Sequence, residues 1–183
     1  SNGKGILAAD ESNGTMTKRL EAVNVISNPE NRLSFRETLF SSESMKACIG
    51  GVILYDETIN QTTSFGKSIP DLISSSGTVP GIKVDTGAKD LAYSSNEKIT
   101  EGLDGLRDRL KKYHELGARF TKWRGVYSIS EKHPSKLSIN SNAHALARYA
   151  ALVQESGMVP IVEPELLMDG KHSAEVCLSK TSE

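Results

Sequence analysis

The sequence predicts an α/β fold, a (β/α)8 barrel of which about the first five strands are present. Three observations carry this. Near-continuous apolar runs alternate with helical patterns along the whole chain, which implies a parallel sheet covered by helices. Charged residues collect at the C-terminal ends of those runs, where barrels place their working groups. No Gly-rich phosphate turn of the GxGxxG or Walker A kind follows the first run, as an open doubly wound sheet would lead one to expect. A closed barrel needs eight strands and roughly 250 residues, so about three strands are expected to lie outside these 183 residues. The chain does not begin with Met and ends in a helix-like segment from Ser173 to Glu183. Residues 1–183 therefore read as one partial barrel domain of a longer protein. Expressed alone, such a piece would carry open sheet edges, is expected to aggregate, and is not expected to fold by itself.

The elements follow in order. Ile6–Asp10 is a short buried strand, then a polar turn, Glu11-Ser12-Asn13-Gly14-Thr15. Residues 15–24 and 29–40 have helical patterning, the second opened by an Asn28 cap and Pro29 in the first turn. Gly51–Glu57 is the second strand and Val79–Asp85 the third. Thr100 is expected to cap an amphipathic helix carrying Leu103, Leu106, Leu110, Tyr113 and Leu116 at helical spacing, ended by Gly117. Ala118–Tyr127 is the fourth strand. A helix from about Asn142 to Gly157 precedes the fifth, Val159–Leu166. Pro160 and Pro164 donate nothing to a ladder and suit an edge position.

Composition narrows the function. A net charge of −1, 37% hydrophobic and 25% charged residues describe a globular chain with no broad basic surface, so nucleic acid is not expected as a partner. No apolar run has the length of a membrane span, and Ser1-Asn2-Gly3-Lys4-Gly5 lacks the apolar region of a secretory signal. Cys48 and Cys177 stand far apart and read as reduced thiols of a cytosolic protein. His114, His133, His144 and His172 have no metal spacing, so no metal is assigned.

The chemistry concentrates in three strand ends. Lys83 and Asp85, Lys122 and Arg124, and Glu163 and Glu165 are each spaced i, i+2, which puts both members of a pair on one face of a strand. With Asp10 they are expected to converge on one polar cavity for an anionic substrate; Glu57 is likewise expected at a strand end. A lysine among cations would lose its proton more readily, and a carboxylate beside another would hold its proton longer. Both suit proton transfer around a carbonyl compound. Ser12, Thr15, Lys18 and Arg19, in and after the first turn, could hold a phosphate at a helix N-terminus. Trp123, between Lys122 and Arg124, should point the other way, into the core.

Gly3-Lys4-Gly5-Ile6-Leu7-Ala8-Ala9-Asp10-Glu11-Ser12, Val79-Pro80-Gly81-Ile82-Lys83-Val84-Asp85, Lys122-Trp123-Arg124 and Val159-Pro160-Ile161-Val162-Glu163-Pro164-Glu165 together resemble the class I fructose-1,6-bisphosphate aldolases over essentially the whole chain. The resemblance implies reversible cleavage of fructose 1,6-bisphosphate to dihydroxyacetone phosphate and glyceraldehyde 3-phosphate through a lysine Schiff base, with no metal or cofactor. It implies a cytoplasmic homotetramer of glycolysis and gluconeogenesis when full length, with cytoskeletal proteins as further partners. By motif, Asp10 resembles the aspartate that assists C–C cleavage, and Lys122 the lysine that promotes carbinolamine formation. Glu163 resembles the principal acid/base, with Glu165 its partner. Lys83 resembles a phosphate-contacting lysine, and Arg19 and Arg32 resemble arginines associated with substrate phosphate; Arg124, beside Lys122, and Ser12 of the first turn are also expected to bind substrate. Thr15 stands where the family has a phosphate-binding serine; the hydroxyl is kept and a methyl added. The Schiff-base lysine belongs to the family's sixth strand, beyond Glu183. The alternative is a catalytically incomplete barrel that only binds sugar phosphate or protein.

Overall fold

The computed structural model describes residues 3–183; Ser1 and Asn2, part of the stretch read above for a leader, lie outside the described residues. Five parallel strands form one sheet: β1 (Gly5–Ala9), β2 (Ile49–Leu54), β3 (Val79–Lys83), β6 (Phe120–Tyr127) and β7 (Val159–Leu166), hydrogen-bonded in the order β1-β2-β3-β6-β7. The sheet curls into a half-barrel, with helices on its outer face. A two-stranded antiparallel hairpin, β4 (Gly87–Asp90) and β5 (Lys98–Glu101), stands between β3 and β6 in the chain. The helices are α1 (Asn13–Glu21), α2 (Pro29–Phe40), α3 (Met45–Cys48), α4 (Asp56–Ile59), α5 (Ile69–Ser75), α6 (Leu106–Glu115), α7 (Lys136–Glu155) and α8 (Ala174–Ser182).

The core lies between the sheet and the helices. Val52, Leu54, Ile82 and Trp123 from the strands meet Ile69, Ile73, Leu110, Leu146 and Tyr149 from the helices. Trp123 is fully buried and faces the helical layer as its strand phase requires. Its ring lies 5.3 Å from that of Tyr149 on α7. Inside the half-barrel, the Phe120 ring sits over Gly51 and Gly81. A Cβ at Gly81 would come within 2.4 Å of it, so the glycine here makes room for a plug at the N-terminal end of the barrel. Among the described residues β7, with Pro160 and Pro164, pairs with β6 alone.

Several expectations need correction. Thr100 caps no helix: it lies within β5, buried, with its hydroxyl donating to the Arg124 carbonyl at 2.7 Å. The helix starts later, after Gly105, whose φ of 63° suits the turn out of the hairpin. Leu103 therefore packs on the core from outside the helix. α7 begins at Lys136 rather than near Asn142, because Ser135 supplies the cap, accepting from the Ser138 amide at 3.2 Å. α1 begins at Asn13, with Ser12 as cap. The second strand ends at Leu54, so Glu57 lies on α4 and not at a strand end. The hairpin and α5 have no counterpart in the sequence reading: each is too short for periodicity to show it.

Glu57 instead holds Arg32 of α2 through two bonds, Nε to Oε2 at 2.8 Å and Nη2 to Oε1 at 2.6 Å. The Arg32 bond holds the Glu57 pKa below its ordinary 4.5 against a smaller opposing effect of burial. A carboxyl with a lowered folded pKa stabilises at pH above its unfolded value and loses that contribution as pH falls through the folded one. Glu57→Gln leaves a largely buried guanidinium without its counter-charge and is expected to cost roughly 3 kcal/mol at pH 7. The gap in melting temperature between variant and parent should close as the pH drops below 4.5. A gap that persists undiminished at pH 3 would refute the assignment.

Candidate active site

The C-terminal ends of the strands open on a polar cleft of about 480 Å³. β1 delivers Asp10, and the turn after it Ser12, Thr15 and Arg19; β3 delivers Lys83, β6 Lys122 and Arg124, β7 Glu163 and Glu165. All the site residues assigned by motif are among these nine except Arg32, and Lys18, expected beside the phosphate, does not line the cleft either. Arg32 lies away from the cleft in its pair with Glu57. An arginine in a short helical motif gives no sign of which face it will occupy until the packing of α2 is known.

Lys122 stands at the centre. Its Nζ lies 3.2 Å from Asp10 Oδ2 and 3.2 Å from Glu163 Oε2, and its side chain is only 14% exposed. Strand register explains the meeting: β6 and β7 pair with Arg124 opposite Glu163, so the acidic strand end overlies the basic one. Burial works against the Lys122 charge, but Asp10 and then Glu163 outweigh it and raise the pKa above the ordinary 10.5. The expectation of a lysine loosened by neighbouring cations is therefore reversed. Its immediate partners are carboxylates, and it is an ammonium donor at neutral pH. Glu165 is corrected in the same way. It is ion-paired with Arg124 rather than crowded by Glu163, and that bond holds its pKa below the ordinary 4.5.

The first turn is braced from behind. Arg36 of α2 is fully buried and donates to the Glu11 carbonyl at 2.7 Å and to Thr58 Oγ1 at 2.7 Å. Glu11 in turn pairs with Arg19, and Ser12 Oγ lies 3.2 Å from Thr15 Oγ1. Glu11, which also lines the cleft, has no assigned role in the sequence reading. Its position beside Asp10 was the available signal, but a loop residue's direction is not set by any period. Asp85 was visible in the sequence as the companion of Lys83, and it too lines the cleft, together with Gly87 and Ala88 of the hairpin.

Among the described residues no cluster of His, Cys, Asp and Glu has the makings of a metal site, and no helix is long and apolar enough to cross a membrane. A second cavity, about 380 Å³, lies against β7, α7 and α8, lined by apolar groups such as Leu146, Ala150, Val162 and Leu166. Its ionisable lining is the Lys180–Glu183 ion pair of the α8 end, at 2.9 Å.

Comparison with known proteins agrees with this geometry. The family described as fructose-bisphosphate aldolase class-I matches residues 1–183. A cytosolic fructose-bisphosphate aldolase 6 of Arabidopsis thaliana is 52% identical over 179 residues, covering 98% of this chain and 50% of that protein. A probable class 1 fructose-bisphosphate aldolase of Xanthomonas campestris is also 52% identical, with 98% of this chain and 54% of that protein covered. The aldolase of Plasmodium falciparum, solved in complex with TRAP and a small-molecule inhibitor, superposes with a TM-score of 0.96 at 45% identity, over 99% of this chain and 53% of that one. The chain thus spans about half the length of the relatives it matches. A family match over every residue, on a half-barrel whose strand ends gather Lys122, Asp10 and Glu163, shows that the chain belongs to the class I fructose-bisphosphate aldolase family.

Proposed function

We propose that this chain forms the substrate-facing half of an aldolase that reversibly cleaves fructose 1,6-bisphosphate to dihydroxyacetone phosphate and glyceraldehyde 3-phosphate. The observation that carries the reading is Lys122 held between Asp10 and Glu163 within the cleft. In the family's reaction a lysine amine adds to the ketose carbonyl, and the carbinolamine loses water to give an iminium. The bond between C3 and C4 then breaks, its electrons passing into the iminium as a base takes the C4 hydroxyl proton. The family places that nucleophile on a later strand. The residues here supply the protons and charge around it. The Lys122 ammonium polarises the carbonyl and gives a proton as the hydroxyl leaves the carbinolamine. Glu163 carries protons in both directions, and Asp10 assists at the breaking bond. Glu165, paired with Arg124, supports Glu163. Ser12, Thr15, Arg19, Lys83 and Arg124 ring the cleft with donors suited to phosphate oxygens.

The same reading includes a cytosolic setting, supported by relatives named as cytosolic aldolases. It includes assembly as a homotetramer and contacts with cytoskeletal proteins, as the family implies. The TRAP complex of the Plasmodium relative supports protein partners in general.

The test is borohydride reduction of the intact protein with dihydroxyacetone phosphate. An iminium accepts hydride at carbon and becomes a stable secondary amine, so a triose phosphate adduct on one lysine and loss of activity are expected. No adduct, with sugar phosphate still bound, would favour a module that only binds.

A further inference from the structure

We propose that Asp85 is the positioning residue that holds Lys83 and Arg124 as one oriented cationic pair for a substrate phosphate; the proposal rests on the aldolase reading above.

β3 and β6 stay in register only as far as Lys83 opposite Lys122, with one further bond, from the Val84 amide to the Lys122 carbonyl at 3.0 Å. A regular parallel ladder would next join the Arg124 amide to the Val84 carbonyl. That carbonyl is already taken by Arg109 Nη1 of α6 at 2.7 Å. Asp85 closes the gap with its side chain: Oδ2 accepts from the Arg124 amide at 3.2 Å. Its other oxygen, Oδ1, accepts from the Gly87 amide at 3.0 Å and from the Lys83 ammonium. The carboxylate is 2% exposed, and its donors include two backbone amides and one cation.

One group therefore joins three pieces of the cleft wall: the end of β3, the foot of the hairpin and the turning point of β6. The Lys83 ammonium is aimed by the carboxylate and by the Asp85 carbonyl at 3.2 Å. The Arg124 main chain is placed by it, while Glu165 directs the Arg124 side chain. Asp85 acts through these two residues. A buried carboxylate in contact with two amides and an ammonium fixes them more tightly than a neutral acceptor would.

Asp85→Asn in the intact protein keeps the shape and one acceptor but loses the charge. It is expected to raise KM for fructose 1,6-bisphosphate roughly tenfold to a hundredfold, the size of a lost charged hydrogen bond, with a smaller change in kcat. The rise in melting temperature that inorganic phosphate gives the parent should shrink with it. Adding the change to Lys83→Met should cost less than making it alone, since the two act on one path. If Asp85→Asn folds poorly, Asp85→Glu keeps the charge displaced by one methylene and is expected to show the same rise in KM. A folded variant of either kind with parental KM and parental phosphate response overturns the proposal. The phosphate response needs no cleavage, so a parent that binds phosphate through this pair and splits no sugar separates failure of the aldolase reading from failure of this one.

Discussion

Glu163→Gln in the intact protein is expected to lower kcat by roughly 10²–10⁴-fold, the range of a lost acid/base group, with little change in melting temperature. The fold should tolerate it because Glu163 is a third exposed, and its ion-pair partner, Lys122, keeps Asp10 as counter-charge. The amide keeps the volume and one acceptor and removes only the capacity to take up and return a proton. KM should change much less than kcat, since the loss falls on the transition state. Near-parental kcat in steady-state cleavage of fructose 1,6-bisphosphate would strip Glu163 of its role. A fall in kcat matched by a fall in stability would reduce it to a structural residue.

How much of this is legible in the sequence differs from one residue to another, and the reason is physical. Lys122, Arg124, Glu163 and Glu165 lie on strands, where a period of two fixes the direction of every side chain. Their shared face, and the opposite face of Trp123, followed from spacing alone. What spacing could not supply was register. Only the pairing of Arg124 with Glu163 brings the acid of β7 over the ammonium of β6, and this reverses the expected pKa of Lys122. Arg32 shows the other limit. It sits on α2, and whether it meets a substrate or Glu57 depends on the short helix α4, four residues that carry no helical pattern of their own. The hairpin is similar: Thr100 looks like a cap because threonine caps helices, and becomes a strand residue because two glycines, Gly102 at φ 130° and Gly105 at φ 63°, turn the chain before the helix begins. Tertiary context decided these cases over local preference.

Lys122→Met should be at least as damaging as loss of Glu163, with kcat down about a thousandfold or more, since it removes both a proton donor and the charge that stabilises developing negative charge. Its pH profile should distinguish it. In the parent, Asp10 Oδ2 and Glu163 Oε2 each lie 3.2 Å from one ammonium that stays charged well beyond neutral pH. Methionine fills the space of the lysine stem and carries no charge. Two carboxylates then face one another in a half-buried cleft with nothing between them. Without the ammonium between them, neighbouring like charges disfavour joint ionisation. The acid limb of the residual activity should therefore move to higher pH. Stability carries a complementary sign. A lysine whose folded pKa is raised stabilises fully below 10.5 and loses that contribution as pH climbs through the folded value. The parent's advantage over Lys122→Met should thus be intact at pH 7 and fade only in strong alkali. An unmoved acid limb, or a stability gap that disappears already at pH 8, would mean that Lys122 does not hold Asp10 and Glu163 apart as charged neighbours. The acid/base arrangement proposed for the cleft would then fail with it.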